Sequence, residues 1–264
     1  MDYTSKSDSR KQNFFLQTAR LANRFTFGYF LRPHFTWVKN YNRYFRDLSA
    51  YRRMSKHETV ATADLQPVLG EATATTPLDY HYFYQDTWCA KHVFEKKPKR
   101  HVDVGSSALL VGILSQFTNV VNVDVRPLDV HLPGLEALEG NSCAMPFADG
   151  SVESLSSICV IEHIGLGRYG DPLDPEGTEK TIREFERVLA PGGNLYVSVP
   201  IDHKEKVCFN ANRVFAPEKF IKRFAACSLA EMKYIQGNGV YSAHEFEKID
   251  WAHEVIGAFH FVKK

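Results

Sequence analysis

The sequence predicts an α/β fold built around a mostly parallel sheet. From His101 onward, short strand-like runs such as HVDV and VVNVDV alternate with helical stretches such as SALLVGILSQF. The run SLSSICVI is a further buried strand, and the helix EKTIREFERVLA follows it after a loop. Because strands that alternate with helices form parallel sheets covered on both faces, we expect this architecture for the C-terminal part of the chain.

Two helices are expected before this region. The first runs from about Lys11 to Leu31 and ends before Pro33, which a helix interior does not tolerate. The second is amphipathic, with aromatic and basic residues on opposite faces. Its apolar face carries Trp37, Tyr41, Tyr44, Phe45, Leu48 and Tyr51. Its basic face carries Lys39, Arg43, Arg46 and Arg53.

Residues 57–78 are small, polar and aperiodic, which predicts a linker or a draped loop. We therefore divide the chain into a basic helical extension with its linker, residues 1–79, and a second domain, residues 80–264. The second domain begins with a helix over Tyr80–Lys97, which Pro98 ends. After EKTIREFERVLA, PGG makes the turn into the strand NLYVSVP. The helix PEKFIKRFAA, a strand near AEMKYIQ and the final strand VIGAFHFV complete the domain.

Composition excludes several classes of protein. The 264 residues are 44% hydrophobic and 13% aromatic, as in globular proteins, and no run of about 18 apolar residues predicts a spanning helix. The N-terminus MDYTSKSDSRKQ lacks the apolar core of a secretion signal. The five cysteines show no CxxC spacing, which favours reduced thiols in a cytoplasmic protein over a metal site.

Charge is distributed unevenly along the chain. Residues 1–56 carry 12 Lys/Arg and 3 Asp/Glu, a net charge of +9, whereas the other 208 residues carry 20 and 28, a net charge of −8. Two interpretations of the basic helices stay open. They pack on the main domain with a solvated basic side, or residues 11–56 lie on an anionic membrane surface or polymer. Nucleic acid is the weaker partner, because the rest of the chain is acidic.

Two turns that follow strands carry ligand-binding signals. In DVGSS, Gly105 follows the first strand and lets a ligand approach the backbone where a helix begins and its N–H groups are free. Asp124 ends the next strand, 19 residues beyond Gly105, close to the spacing of an acid that binds ribose hydroxyls. Each feature alone also fits an ordinary turn.

The segment GNSCAMPFADGSVESLSSICVIEHI (Gly140–Ile164) resembles the adenine-side segment of class I S-adenosylmethionine (SAM) dependent methyltransferases. RVLAPGGNLYVSVP (Arg187–Pro200) is similar to the Pro-Gly-Gly turn and fifth strand of that family. The resemblance covers about residues 80–264. It implies SAM as the cofactor and a Rossmann-like sheet of seven strands, mostly parallel with an antiparallel last strand.

Carried over residue by residue, the resemblance implies a cofactor site at the carboxyl ends of the strands. Its residues are Asp103, Gly105, Ser106 and Ser107 at the methionine end, Asp124 and Val125 at the ribose and adenine, Asn141 and Ser142 at the adenine edge, and Cys159 and Glu162 at the end of the fourth strand. Ser107 and Leu109 stand where the second and third glycines of the family would be. Side chains there narrow the space beside the cofactor, which predicts altered, weak or lost SAM binding.

The chain resembles one branch more closely. EHIGLGRYGDPLDPEG and FNANRVF look like hallmarks of an uncharacterised domain-of-unknown-function family of methyltransferase-like proteins, and HVDVGSS and GAFHFVKK fit it as well. Members of that family often accompany bacterial surface-polysaccharide biosynthesis. The resemblance therefore implies this context and, loosely, a sugar or glycan acceptor.

The loop Glu162–Pro175 concentrates groups that suit an acceptor substrate. His163 has an ordinary pKa near 6.5, about right for a base near neutrality, and Asp171 is the alternative base or the residue that orients His163. Arg168 and Tyr169 are expected to fix a carboxylate, phosphate or sugar hydroxyl. The competing interpretation is that Arg168 and Asp171 pair and pin the loop.

Four further candidates lie outside this loop. Asn210 and Arg213 follow the fifth strand. In one interpretation Arg213 binds an anionic group of the acceptor, and in the other both residues only order their loop. Tyr84 and Trp88 either stack on a sugar ring or belong to the core.

Together these patterns predict a SAM-dependent, O-directed methyltransferase with a sugar or glycan acceptor, cytoplasmic or peripheral at the inner face of the membrane. The alternative is a catalytically inactive methyltransferase fold that binds or assembles at a polysaccharide-synthesis complex.

Overall fold

The computed structural model describes residues 33–264, so the helix expected over residues 11–31 lies outside the described residues. The chain forms two compact units that divide between Pro77 and Leu78.

The first unit contains helix α1, Pro33–Met54. Pro33 begins this helix, as the first helical turn tolerates proline. A 3₁₀ turn at Thr62–Asp64 is the other regular element described there. Neither α1 nor any other helix within residues 33–264 is long and apolar enough to cross a membrane.

The second unit is an α/β domain whose strands alternate with helices as predicted, except over residues 119–158, where three strands follow one another without an α-helix between them. Its helices are α2 (Tyr80–Lys96), α3 (Ala108–Leu114), α4 (Gly177–Val188) and α5 (Pro217–Arg223). The strands of its main sheet are β1 (Arg100–Val104), β2 (Asn119–Asp124), β3 (Leu135–Glu139), β4 (Val152–Ile158), β5 (Leu189–Ile201), β8 (Cys227–Gln236), β9 (Gly239–Ser242) and β10 (Val255–Lys263). A separate hairpin consists of β6 (Lys206–Cys208) and β7 (Asn212–Val214).

The main sheet has the strand order β3-β2-β1-β4-β5-β10-β8-β9. The first five strands of this order pair in parallel, and β10 is antiparallel to both β5 and β8. The predicted mostly parallel sheet with an antiparallel last strand is confirmed. The sheet has eight strands instead of the predicted seven, because β9 folds back on β8 through a turn with Gly237 at φ +52°.

The Pro-Gly-Gly sequence lies inside β5 and does not precede it as a turn. Leu189 of β5 pairs with Val152 of β4, and the next pair joins Asn194 to Ser154. Between these pairs the chain advances five residues along β5 but only two along β4. The extra residues form a bulge, in which Gly192 adopts φ +74°.

Helices cover both faces of the sheet, as its buried strands require. The cluster on one face contains Trp88 of α2 and Leu110 of α3, both packed with Tyr196 of β5. The other cluster contains Phe185 of α4 and Phe220 of α5. Full burial of such side chains stabilises the fold by about 1.5–3 kcal/mol each.

Candidate cofactor and acceptor site

The candidate site lies at the carboxyl ends of β1, β2 and β4. Strand order reverses between β1 and β4, and such sheets open a ligand crevice at this point. A cleft of about 140 Å³ occupies the crevice, and a second cavity of about 280 Å³ adjoins it. Both cavities are lined by Val125, Ser142, His163, Ile164 and Tyr169.

Gly105 lines the cleft directly after β1. Its φ of +65° lies in the left-handed region that favours glycine. A β-carbon at this position would lie 3.1 Å from Val160 Cγ1 and 3.4 Å from Asp124 Oδ2. Glycine is therefore needed both for the turn and for close approach of a ligand to the backbone.

Asp103 supports this turn and lines neither cavity, in contrast to the predicted cofactor contact. Its side chain is fully buried, and Oδ1 accepts hydrogen bonds from the Ser106 N–H at 3.1 Å and from Asn122 Nδ2 at 2.9 Å. Ser156 Oγ donates to Oδ2. Burial raises the pKa of Asp103.

Ser106 and Ser107 fix the same turn. Ser106 Oγ accepts a hydrogen bond from the Ile158 N–H at 3.0 Å and so joins the turn to β4. Ser107 Oγ caps α3 by accepting from the Leu110 N–H at 3.1 Å, and it donates to Asp86 Oδ2 at 2.8 Å.

The two residues that replace family glycines leave the cleft open. Leu109 is 73% exposed. Neither Leu109 nor Ser107 lines the cleft or the adjoining cavity. The predicted narrowing by these side chains is therefore wrong, because the helix turns Leu109 outward and capping holds Ser107.

Asp124 presents one carboxylate oxygen to the cleft. Its Oδ1 accepts a hydrogen bond from the Arg126 N–H at 2.8 Å. Its Oδ2 faces Gly105 and accepts no hydrogen bond from the residues 33–264 that the structure describes. Val125 beside it is 46% exposed and forms an apolar wall of both cavities. A free carboxylate oxygen next to an apolar wall suits a sugar diol attached to a flat ring.

Asn141 and Ser142 reach the cavities from the turn after β3. Ser142 is buried and lines both cavities, and its hydroxyl is bonded to Thr181 Oγ1 at 3.0 Å. Asn141 lines the second cavity, and its Oδ1 accepts from the Cys143 N–H at 2.8 Å.

Helix α2 supplies Gln85 and Asp86, which sequence reasoning missed. Gln85 is fully buried, and its Oε1 accepts hydrogen bonds from Cys159 Sγ and Ser198 Oγ, both at 3.0 Å. Within the described part of the chain, Gln85 Nε2 and Asp86 Oδ1 are buried without a hydrogen-bond partner. Burial also raises the pKa of Asp86 to about 6. The Gln-Asp pair inside the aromatic run YHYFYQDTW was the available signal.

Cys159 lines the cleft at the end of β4. Its φ of +54° is rare for a residue other than glycine. Burial raises the pKa of the thiol well above its usual range. The thiol therefore stays protonated and donates its hydrogen bond to Gln85, so Cys159 is a wall of the cleft and not a nucleophile.

Glu162 is a buried carboxyl that lines neither cavity, in contrast to the predicted cofactor contact. Its side chain is 1% exposed. Among the described residues, its Oε2 has no hydrogen-bond partner. Burial raises the pKa of Glu162 to about 8, against the opposing effect of its own backbone N–H and the Cys159 thiol.

His163 lines both cavities, and its tautomer follows from its contacts. Its Nδ1 lies 2.7 Å from the Ala211 carbonyl oxygen, which only accepts, so Nδ1 carries the proton and donates it. Its Nε2 lies 3.7 Å from Glu162 Oε1. Burial lowers the pKa of His163, so the imidazole is neutral at pH 7 and Nε2 holds a free lone pair.

Asp171 lines the second cavity and pins the loop after β4. Its Oδ2 accepts from the Gly165 N–H at 2.8 Å and the Gly167 N–H at 3.4 Å, and its Oδ1 accepts from the Tyr169 N–H at 3.3 Å. The alternative pairing of Arg168 with Asp171 is also absent among the described ion pairs. Arg168 Nη1 instead donates to the Ala211 carbonyl at 3.1 Å.

Two guanidinium groups pack on the ring of Tyr169, which lines both cavities. Arg126, which sequence reasoning missed, lies 4.6 Å from the ring centroid, and Arg168 lies 5.1 Å from it. The His163 ring meets Tyr169 edge-on at 5.6 Å. Neither arginine forms an ion pair with any described residue, so both guanidinium charges lack an anionic partner within residues 33–264, although Arg168 Nη1 donates to a carbonyl.

Arg213 and Asn210 do not reach the cavities. Arg213 is buried, and its Nη1 donates to the Ile164 carbonyl at 2.6 Å, so it braces the loop after β4. Asn210 is exposed on the β6–β7 hairpin. The interpretation that these residues bind the acceptor finds no support in their positions, because the hairpin directs Arg213 inward, where it orders a loop as the alternative interpretation expects.

Tyr84 and Trp88 belong to the packing of α2 on the sheet. Trp88 is buried and its Nε1 donates to Glu231 at 2.8 Å. The Tyr84 hydroxyl donates to the Asn238 carbonyl at 2.9 Å. The prediction that they stack on a sugar is wrong, and the competing interpretation as core residues is correct.

We expect Asp171→Ala to lower the free energy of unfolding by about 1–3 kcal/mol, because backbone N–H groups lose a charged acceptor. Asp129→Ala, at an exposed position after β2, is the matched control with an expected change within about 0.5 kcal/mol. Urea unfolding measures both. Equal values for the two variants would contradict the pinning role.

Comparison with known proteins gives one family match and one curated relative. Residues 145–231 match the family described as "Caenorhabditis protein of unknown function, DUF268". A demethylmenaquinone methyltransferase of Thermus thermophilus is 32% identical over 116 residues, which are 39% of this chain and 48% of that protein. The chain thus matches about half the length of this relative.

Solved structures share the fold at low sequence identity. The N-methyltransferase NodS of Bradyrhizobium japonicum matches with a TM-score of 0.53 and 15% identity, over 70% of this chain and 97% of NodS. NodS in complex with S-adenosylhomocysteine (SAH) matches with a TM-score of 0.51 and 15% identity, over 69% and 87%. The [4+2]-cyclase SpnF matches with a TM-score of 0.50 and 14% identity, over 67% and 81%. These likenesses confirm the Rossmann-like methyltransferase fold.

Proposed function

We propose that this chain is a SAM-dependent methyltransferase that methylates a hydroxyl of a sugar or glycan precursor. The observation that carries the proposal is the free carboxylate oxygen of Asp124, which faces Gly105 in the cleft. Two further unpartnered polar atoms lie on α2, namely Gln85 Nε2 and Asp86 Oδ1, in residues that hydrogen-bond Cys159 and Ser107. The methyltransferase fold and the partial match to a named methyltransferase support it.

The residues around the cleft fit SAM. The carboxylate of Asp86 would accept from the methionine ammonium, and Gln85 Nε2 would donate to the methionine carboxylate. Asp124 Oδ2 would accept from the ribose hydroxyls, and Val125 would cover the adenine. When bound, SAM supplies an electrophilic methyl group on a sulfonium.

His163 is the candidate proton acceptor for the sugar hydroxyl. Its Nδ1–H is committed to the Ala211 carbonyl, so only Nε2 can take a proton. Its lowered pKa keeps this nitrogen unprotonated at neutral pH. Placement of such a base typically contributes about 10²–10⁴-fold to a reaction rate.

The two arginines around Tyr169 favour an acceptor that carries an anionic group. Arg126 and Arg168 have no carboxylate partner among the described residues. Both guanidinium groups contact the ring of Tyr169, which lines both cavities. A phosphorylated or nucleotide-linked sugar has such a group. The bacterial polysaccharide context rests on the sequence resemblance alone.

The test is transfer of a labelled methyl group from SAM to pools of nucleotide sugars and lipid-linked glycans. The proposal expects an alkali-stable ether product that forms with the wild type and falls at least about 100-fold with His163→Ala. Transfer to peptide alone, or equal transfer by both proteins, would contradict it.

The alternative is a binding protein on the same fold without methyl transfer. The cyclase SpnF shows that one fold carries different activities. The side chains of Leu109 and Ser107 line neither cavity, and this disfavours the alternative because the expected obstruction of the cofactor is not found there.

We further propose that α1 docks on an anionic membrane surface. None of residues 38–54 is buried, and Phe45 and Met54 are 54% and 71% exposed. Residues 33–56 carry six Lys/Arg and one acid. Exposed aromatic and apolar side chains with basic residues suit an anionic lipid interface.

We expect Arg43→Gln with Arg46→Gln to weaken binding of the full chain to phosphatidylglycerol vesicles about 10–30-fold, since each basic residue near such a surface contributes about 1 kcal/mol. Lys91→Gln with Arg183→Gln, both exposed on the second unit, is the control with the same charge change. Vesicle sedimentation measures both. Equal weakening, or no binding by wild type at low salt, would contradict the docking.

A further inference from the structure

Two exposed apolar side chains lie beside the second cavity, and a polar sugar does not explain them. Phe209, in the turn between β6 and β7, is 74% exposed, and Leu173, in the loop after β4, is 70% exposed. Pro172, directly before Leu173, lines the second cavity. Single exposed apolar side chains are common on protein surfaces, so the position of these two is what calls for a role. We refer to Phe209 and Leu173 as the apolar rim.

The β6–β7 hairpin connects Phe209 to the candidate site. The carbonyl oxygen of Ala211, two residues after Phe209, accepts hydrogen bonds from His163 Nδ1 at 2.7 Å and from Arg168 Nη1 at 3.1 Å. Because His163 lines both cavities, the turn of the hairpin is held directly against their wall. The proposed base and one of the two arginines therefore share a partner with the turn that carries Phe209.

Leu173 approaches the same arginine from within the loop after β4. A β-carbon at Gly167 would lie 3.1 Å from Leu173 Cδ2, and Arg168 is the next residue along the chain. The guanidinium of Arg168 lies 5.1 Å from the ring centroid of Tyr169, which lines both cavities. A ligand whose anionic group meets this guanidinium therefore has the apolar rim beside it.

The acids of this loop do not oppose an anionic ligand at the arginines. Asp171 accepts hydrogen bonds from three backbone N–H groups. Asp174 pairs with Lys180, whose Nζ lies 2.7 Å from its Oδ2. The charges of Arg126 and Arg168, in contrast, have no anionic partner among residues 33–264.

Uncompensated cations next to exposed apolar side chains suit an amphiphile, in which an anionic group is joined to an apolar chain. The cations attract the anionic group, and burial of the chain against the rim removes apolar surface from water. A nucleotide also has a phosphate, but its base is flat and has polar edges that an apolar rim does not satisfy.

We propose that Phe209 and Leu173 bind the apolar chain of the acceptor, so that the methylated sugar is carried on a lipid phosphate and not on a nucleotide. This inference rests on the proposed function for the assignment of the chain to the acceptor. The phosphate beside the sugar lies against Arg126 and Arg168, and the chain leaves the cavity over the apolar rim.

The test measures how binding depends on chain length. The full chain is saturated with SAH and titrated with octyl phosphate, ethyl phosphate or uridine monophosphate, all below the concentration at which octyl phosphate forms micelles. Backbone amide resonances of residues 206–214 report binding. Because burial of one methylene strengthens binding about fourfold, we expect octyl phosphate to bind at least about 30-fold more tightly than ethyl phosphate. Uridine monophosphate is expected to show no such gain.

Three variants separate the chain from the anionic group. Phe209→Ser with Leu173→Ser is expected to abolish the preference for the longer chain and to leave binding of ethyl phosphate unchanged. Phe94→Ser with Val240→Ser is the control, because it removes an exposed phenylalanine and an exposed aliphatic side chain elsewhere on the second unit, and it is expected to keep the preference. Arg126→Gln is expected to weaken both alkyl phosphates at least about tenfold and to keep the preference.

Equal affinities of the wild type for the two alkyl phosphates would overturn the assignment, as would an undiminished preference in the rim variant or binding only above the micelle concentration. A wild-type dimer that the rim variant loses, without any preference for octyl phosphate, would assign the rim to a second copy of this chain and overturn it as well. SAH binding is recorded in the same samples, and its absence counts against the proposed function. The preference for the longer chain is measured with and without SAH, so the two failures are distinguished.

Discussion

Glu162→Gln is expected to gain stability over the wild type as the pH rises from about 5 to 9. The folded protein holds Glu162 with a pKa near 8, against an ordinary value of 4.5. In the wild type, the raised pKa of Glu162 therefore contributes fully to the free energy of unfolding below pH 4.5, and this contribution is lost as the pH rises through 8. The loss is on the order of 4 kcal/mol, since each pKa unit corresponds to about 1.4 kcal/mol.

Urea unfolding of both proteins at several pH values measures this difference, and other titrating groups cancel in the comparison. Glu254→Gln serves as the control, because Glu254 is 64% exposed and its loss removes no buried acid. Parallel stability curves for wild type and Glu162→Gln would contradict the burial of an unpaired carboxyl. The residue is thus one whose retention lowers stability, as is common for groups kept for binding or catalysis.

Asp124→Ala is expected to weaken SAH binding at least about 100-fold. The variant removes the carboxylate oxygen that faces Gly105 and would accept from the ribose hydroxyls, and each hydrogen bond to a charged group is worth about 1.5–3 kcal/mol. Asp124→Asn keeps an acceptor for the Arg126 N–H and is expected to bind with intermediate affinity.

The control for this prediction is Asp129→Ala, which removes an exposed acid five residues later. We expect calorimetry to give wild-type SAH affinity for this variant. If all three variants bind SAH equally, Asp124 does not hold the ribose and the orientation of the cofactor in the cleft is wrong.

Local features of the sequence were sufficient to predict the fold and the two residues at the centre of the cleft, Gly105 and Asp124. Strand and helix periodicity predicted the alternation of the second unit, and Gly105 and Asp124 follow their strands at a spacing set by a βαβ unit. Both are close to the backbone turns that define the crevice. Their positions therefore depend little on distant side chains.

Residues whose role depends on long-range packing were assigned less well. Gln85 was missed because its partner Ser198 is 113 residues away in sequence. For Trp88 the sequence left a sugar stack and a core position open, because helical periodicity does not tell which aromatic face the sheet covers. For Arg213 the sequence left an anion clamp and a loop-ordering role open, and the hydrogen bond from the β6–β7 hairpin to the Ile164 carbonyl favours the second.

Asp171 illustrates a different limit. An acidic residue in a polar loop can serve as a base or anchor the loop. The anchoring role becomes visible only from the backbone path of Gly165–Tyr169, whose N–H groups reach the carboxylate. Glycines at positive φ bring the N–H groups of this loop onto the carboxylate. The glycines are the only feature of the sequence that indicates this loop conformation.

The most direct test of the account is calorimetric titration of the full wild-type chain with SAH. The cleft lined by Gly105 and Asp124, with Gln85 and Asp86 on the adjoining α2, predicts saturable binding with one site per chain and a dissociation constant in the micromolar range. Absence of heat and of thermal stabilisation in a well-folded sample would contradict the assignment of the cleft to SAM, and with it the proposed methyl transfer.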